Sequence, residues 1–351
     1  MTVTQGSPDY LAWDKNIGAE RNASVFLQSS FWGEFLLECE LAIPIYLSAK
    51  IDDKPVGSML IIHRNILPKK YTFLRKIPYI FDRLEIQQGP VNFDSVNQKE
   101  SLIAFLEWID KYKKNNKIGE INFDSYAPSL NLCEVKDLMR DYGYTPQPWA
   151  TYYVDLLASN EEIFTNIDRS ARKGVNKALR EGILVRKVDT WNDFEKSYLL
   201  PYIALKGCAP EVYENHKKLW KNNKSSEYYS FFVCEDSDGQ LLGMLGIFIF
   251  LGVATEIASG VTSLGLAKKV PVQDLLHWQI MIHAKTRGCR LFDLAGVSPN
   301  PKTAKESNIL RFKKKWGGTY VEYDTFYWRH TLVELARCLN NYLKKLKMLL
   351  T

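Results

Sequence analysis

The pattern of apolar and polar positions along this chain occurs twice. "IYLSAKIDDKPVGSMLIIH" reads as strand, polar turn and strand, and the same order returns in "SFFVCEDSDGQLLGMLGIFIF", with Gly57 and Gly243 following the two turns. Each hairpin is followed by a stretch of helical periodicity, "QKESLIAFLEWIDKYKKNN" in the first half and "VQDLLHWQIMIHAKTRG" in the second. A short strand ending in Phe-Asp comes next, Phe123-Asp124 and Phe292-Asp293. A second helix then closes each half, "LNLCEVKDLMRDYG" and "KESNILRFKKKWGG", with glycine where a helix end needs relief. Hairpins that lead and helices that follow differ from the strict alternation of a doubly wound sheet, so the pattern predicts a duplicated α+β fold. Two prolines in "GYTPQPWATY" interrupt regular structure and put the boundary there. Domains over 1–148 and 149–330 are expected to meet across a cleft, with an amphipathic helix over 331–351.

The two closing helices differ at one position. With Ile309 as zero, Phe312, Lys313 and Trp316 fall within roughly 60° of it, while Arg311, Lys314 and Lys315 point more than about 100° away. Aligning Gly143 with Gly317 sets Val135 opposite Ile309, Met139 opposite Lys313 and Tyr142 opposite Trp316. The second half therefore carries a cation where the first is apolar. Such a lysine either snorkels to water or is directed into a pocket, where low dielectric strengthens its pull on an anion.

A second cationic element lies in "SNEEIFTNIDRSARKGVNKALREGI". It reads as one helix capped by Ser159 or Asn160 and ended by Gly182. Arg169, Arg172, Lys173, Lys177 and Arg180 recur at spacings of three and four, opposite Ile167, Ala171, Val175 and Ala178. This stripe either tracks phosphates or is the solvated face of an ordinary surface helix.

Composition adds limits. The chain has 351 residues with 46% hydrophobic residues, enough for two cores, and 46 Lys and Arg against 40 Asp and Glu, a mild lean toward phosphate-bearing partners. Six cysteines without a C-x-x-C pair suggest reduced thiols in a cytoplasmic protein. No secretory leader and no transmembrane segment is read from the chain. The five histidines lack the spacing of a metal site, and neither a G-x-S-x-G elbow nor a P-loop occurs, so no metal is expected. The chemistry must then need little acid-base help from the protein, or the chain only binds.

From about residue 25 to 328 the sequence resembles the FemABX family, aminoacyl-tRNA-dependent ligases of peptidoglycan cross-bridges built on paired acetyltransferase-like (GNAT) domains. The segments that carry the resemblance are "FLQSSFWGEF", "QQGPV", "WATYYVDLLASNEEIFTNIDRSARKGVNKALREGI", "LFDLAGV" and "RFKKKWGG". The basic helix leads straight into "LVRKVDTWNDF", so the chain resembles the compact members without a coiled-coil arm. The resemblance implies aminoacyl transfer from aminoacyl-tRNA, as co-substrate, to an amine of a peptidoglycan precursor or related envelope molecule, with no other cofactor. It implies that Lys313, in the Arg-Phe-Lys motif, stabilises negative charge at the donor, and that Phe312 beside it binds substrate. It further implies that Lys206 faces acceptor phosphates and that Asp124 lies near the acceptor, although an aspartate at a strand end also serves turn amides.

Two positions depart from the family pattern. Position 36 is leucine where members acting on nucleotide-linked precursors carry lysine, and "EIASGVTS" has Ala258 and Ser259 where many carry tyrosine. An acyl-CoA-dependent N-acyltransferase is the alternative, although "TSLGLA" opens on Thr262 where the pyrophosphate loop has Arg or Gln. A duplicate that only binds is the third reading. The tail "HTLVELARCLNNYLKKLKMLL" is amphipathic, with Leu332, Leu335, Ala336, Leu339 and Leu343 on one side and Lys344, Lys345 and Lys347 near its end. It is expected to pack on the second domain, with peripheral contact between its basic end and an anionic membrane as the other reading.

Overall fold

The computed structural model describes residues 1–18, 25–39, 41–67, 74, 77–93, 97–125, 132–207, 211–221 and 225–350. The chain begins with β1 (Thr2–Gln5), α1 (Tyr10–Ile17), α2 (Ser30–Glu38), β2 (Ile43–Ile51), β3 (Lys54–Asn65), β4 (Asp82–Gly89), β5 (Val91–Asn92), α3 (Gln98–Asn115), β6 (Glu120–Ser125) and α4 (Leu132–Asp141). After β7 (Thr145–Asp155) come α5 (Asn160–Asn166), α6 (Arg169–Arg180) and β8 (Leu184–Lys187). A helical stretch follows, made of α7 (Trp191–Asp193), a π turn (Phe194–Leu199) and α8 (Leu200–Lys206). Then come α9 (Glu211–Lys221), α10 (Ser225–Tyr228), β9 (Tyr229–Glu235), β10 (Leu241–Phe250), β11 (Val253–Val261), α11 (Ser263–Ala267), α12 (Val272–Thr286), β12 (Leu291–Asp293), α13 (Ala304–Lys314), β13 (Thr319–Arg329) and α14 (Thr331–Leu350).

These elements form two compact units. The first comprises Met1–Glu20, Leu27–Pro148 and Tyr323–Thr351; the second comprises Arg21–Phe26 and Trp149–Glu322. In the first the strands run β1-β2-β3-β4-β6-β13, antiparallel except for the parallel pair β4–β6. In the second they run β8-β9-β10-β11-β12-β7, antiparallel except for β11–β12. The two patterns match strand for strand, which is the geometric form of the repeat. In the first core α3 sets Leu102, Phe105, Leu106 and Ile109 against Leu47, Met59, Ile61, Leu84 and Ile121. In the second, Leu275, Leu276 and Ile280 of α12 and Ala171, Val175 and Ala178 of α6 share a core with Leu242, Leu245, Ile247 and Phe292. Each fully buried large aliphatic or aromatic side chain is worth roughly 1.5–3 kcal/mol relative to exposure.

Two expectations change. The stretch expected to be one helix is two, because Ile167 and Asp168 are extended (ψ 153° and 147°) and the Asp168 carboxylate caps α6 at the Ser170 N–H. From Tyr323 on, the last strand and the helix after it belong to the first unit, not the second. Thr325 to Arg329 pair with Asp124 to Glu120, and α14 is fastened there by buried Val333 and by Arg337, whose guanidinium donates to Glu120 at 2.8 Å.

Candidate active site

In the second unit β11 and β12 run side by side for only three residue pairs, Val253–Leu291 to Thr255–Asp293. Beyond that point β11 continues to Val261 paired with β10 alone. A β-bulge lies here, because Gly246 faces Ala258 while Ile247 faces Glu256, leaving Ile257 as the extra residue. The bulge re-aims Glu256 to Ser259, all of them half-buried, at the place where the two parallel strands part.

Beyond β12 the chain turns sharply. The Asp293 carboxylate accepts from the Thr151 hydroxyl at 2.6 Å and from the Ala295 N–H at 2.9 Å, and Ala295 is held at φ +62°. Gly296 must be glycine, since a Cβ there would lie 2.0 Å from Trp149 Nε1. The carbonyls of Ala295 and Gly296 then point to one partner. Lys313 Nζ, coming from α13, donates to them at 3.0 and 2.9 Å.

Helix α13 delivers that ammonium because of how it starts. Thr303 accepts from the Glu306 N–H while the Glu306 carboxylate accepts from the Thr303 N–H, a complete capping box that fixes the helix rotation. Lys313 is 8% exposed and Trp316 is fully buried, whereas Arg311 and Lys314 are exposed and Lys315 is partly covered. Ile309, placed on the same arc, is 37% exposed. An ammonium has three N–H donors; two are used, and no third acceptor is present among the described residues. Burial pulls the Lys313 pKa down, with Glu256 and Asp293 opposing that shift.

Glu256 and His277 complete the cluster. His277 Nδ1 lies 2.7 Å from the Gln273 carbonyl and Nε2 lies 3.2 Å from the Glu256 carboxylate, so both ring nitrogens face acceptors. Burial raises the Glu256 pKa, but His277, Lys313 and the Ser259 hydroxyl together bring it below the usual carboxylate range. Burial pushes Asp293 up to about 6. The ring of His277 stacks on Trp316 (5.4 Å between centroids) and meets Phe312 edge-on at 4.8 Å.

The other predicted residues are dispersed. Arg172 leaves the basic stripe: its Nη1 donates to the carbonyls of Thr165 and Ile167, both at 2.5 Å, closing the break between α5 and α6. Arg169, Lys173, Lys177 and Arg180 are exposed. Lys173 and Lys177 line a depression of about 470 Å³ with Lys269 and Pro271, and Arg311, Lys314 and Lys315 line another of about 580 Å³ with Asp168 and Ser170. Lys206 is exposed on the last turn of α8, 5.8 Å above the Tyr202 ring.

In the first unit Asp124 lines a cavity of about 350 Å³ with Glu85, Gln87, Asn122, Gln147 and Arg329. Burial, then Glu85, pushes its carboxyl up to about 6, and no described residue donates a hydrogen bond to it. Sequence reading singled out Lys313 but missed Glu256, His277 and Thr151. Asp293 was signalled by the Phe-Asp repeat.

Comparison with solved structures gives the fold. FemX superposes with a TM-score of 0.70 over 96% of this chain and 99% of its own, at 15% identity. The C-terminal domain assigned to a lysylphosphatidylglycerol synthetase of Agrobacterium fabrum gives 0.52 over 94% and 95% at 12% identity. A tandem GNAT protein of the clavulanic acid biosynthesis pathway gives 0.52 over 93% and 98% at 9% identity. No protein-family profile and no curated protein sequence matches the chain. The fold is FemX-like, an α+β arrangement of tandem acetyltransferase-like units.

Proposed function

We propose that the protein is an aminoacyltransferase, moving an amino acid from aminoacyl-tRNA to an amine of a peptidoglycan precursor or related cell-envelope acceptor. The observation that carries this reading is the Lys313 ammonium, buried where β11 and β12 part, with one N–H that no described residue accepts. The acceptor amine attacks the ester carbonyl and forms the C–N bond. The carbonyl oxygen takes up negative charge, then the C–O bond to the tRNA ribose breaks and the leaving hydroxyl receives the proton lost by the amine. Lys313 stabilises the oxyanion or the terminal phosphate through its third N–H, in surroundings where such a charge acts strongly. Thr151, Asp293 and Gly296 hold the turn that holds Lys313, so they position it.

The exposed Arg169, Lys173, Lys177 and Arg180, joined by Lys269, Arg311 and Lys314, track the tRNA backbone by charge. The Asp124 cavity takes the cationic group of the acceptor, and Lys206 an acceptor phosphate. Leu36 is 1% exposed in the core, so no cation replaces the family lysine at that position; this favours an acceptor other than the usual nucleotide-linked one.

A CoA donor is less well supported by the site. Helix α12 opens on Pro271, which has no N–H, and its first turn carries Asp274, ion-paired with Lys315. In the preceding segment the Gly265 N–H is taken by Thr262 Oγ1 and the Leu266 N–H by the Thr262 carbonyl. A pyrophosphate needs free amides and no carboxylate at that place.

Labelled aminoacyl-tRNAs and acyl-CoAs, each offered with a bacterial precursor extract, test the proposal. Transfer from an aminoacyl-tRNA is expected, falling about 10²–10³-fold in Lys313→Met if the lysine is an oxyanion donor. Transfer from acyl-CoA alone, or full turnover in Lys313→Met, would overturn it.

A further inference from the structure

Helix α14 runs over twenty residues, about 30 Å at 1.5 Å per residue, and among its described side chains, which end at Tyr342, those that are held lie on one side. Val333 is buried against Gly119, the His330 N–H donates to the Gly119 carbonyl at 2.8 Å, and Arg337 reaches Glu120. Val333 and Arg337 are four residues apart and share that side. Leu335, Leu339 and Tyr342 lie roughly 120–180° around the helix from Val333, and they are 61%, 61% and 60% exposed. Leu332 adds to the same uncovered stripe at 39%.

Large apolar side chains repeated at helical spacing and left in water need an occupant. Charge selects among the occupants. From 331 to 350 the sequence has Arg337, Lys344, Lys345 and Lys347 against Glu334 alone, and Glu334 is already bonded to Arg329 at 3.3 Å. A second copy of so basic a helix would meet its own charge, whereas an anionic lipid surface accepts both the leucines and the lysines. No helix among the described residues is long and apolar enough to cross a membrane. We infer that α14 lies in the plane of an anionic bilayer surface, with Leu335, Leu339 and Tyr342 inserted at the headgroup level and the net positive charge of the helix drawn to the lipid phosphates.

The experiment is co-sedimentation of the full chain with phosphatidylcholine vesicles, with or without phosphatidylglycerol. Wild type is expected to bind the anionic vesicles on the order of a hundredfold more tightly than the neutral ones, and salt to weaken that binding. Leu335→Glu combined with Leu339→Glu should abolish it with an unchanged thermal melt, because both side chains already face water. A triple Lys344→Gln, Lys345→Gln, Lys347→Gln variant should lose the preference for anionic lipid. Equal binding by the glutamate variant, or no vesicle binding by wild type, overturns the inference. So does concentration-dependent self-association that the glutamate variant abolishes while vesicles bind neither protein.

Discussion

Asp124 and Asp293 occupy the same place in the two halves, and burial raises the pKa of each to about 6 from 3.8. For Asp124 the sign is simple. Between about pH 4 and 6 the unfolded chain ionises this carboxyl while the folded chain keeps it protonated. The folded state therefore loses stability as pH rises through that window, and the full penalty applies above it. Relative to Asp124→Asn, the wild type should lose up to about 3 kcal/mol between those limits. Urea midpoints of both proteins from pH 4 to 7 read the difference, and parallel curves would remove the buried-carboxyl account. If Asp124 accepts from an acceptor ammonium, wild-type transfer should climb as pH passes 6 while the asparagine variant stays flat. At this scale the site was half legible. Lys313 emerged because one helix and one face suffice to find it. The pair Glu256 and His277 did not, because it joins residues 21 apart across a bulge, and no local period records the extra residue Ile257.

Helices end and begin where side chains take up free backbone groups, and α13 shows it most fully. Removing one half of its capping box, Thr303→Ala, should cost about 1 kcal/mol of stability. It should also lower transfer, because the cap sets the rotation that buries Lys313. A melt and a rate on the same sample test this, and an unchanged rate at reduced stability would separate the cap from the site. The break between α5 and α6 was readable in principle, since "NIDRS" offers an aspartate cap, yet an uninterrupted 3.6-residue pattern hid it. What fixes the break comes from elsewhere in the chain: the Asp168 N–H donates to the Lys315 carbonyl at 2.7 Å, and Gly317 lies against the Asn166 carbonyl. Arg172 was read as a phosphate contact because spacing shows which face a residue shares, not whether a carbonyl lies within its reach.

The duplication was visible in the sequence because hairpin, helix, Phe-Asp strand and capped helix recur in order. The exchange of closing strands was not, because strands β7 and β13 look alike as alternating patterns and only pairing assigns them. The sheet of the first unit depends on this exchange. Strand β13 supplies Phe326 to its core and Arg329 to Glu120 at 2.8 Å. A chain stopped at residue 322 should therefore lose the first unit while the second keeps its fold. Limited proteolysis should cut the shortened protein within 27–148 and leave 149–322 intact, and equal resistance of both segments would contradict the exchange. During synthesis the usual order is then reversed. A ribosome that has made the first 148 residues has not yet made the strand that completes their sheet, so the later half can finish folding first while the earlier half waits for the last strand, which exposes the Leu84 and Phe123 region to chaperones for most of translation.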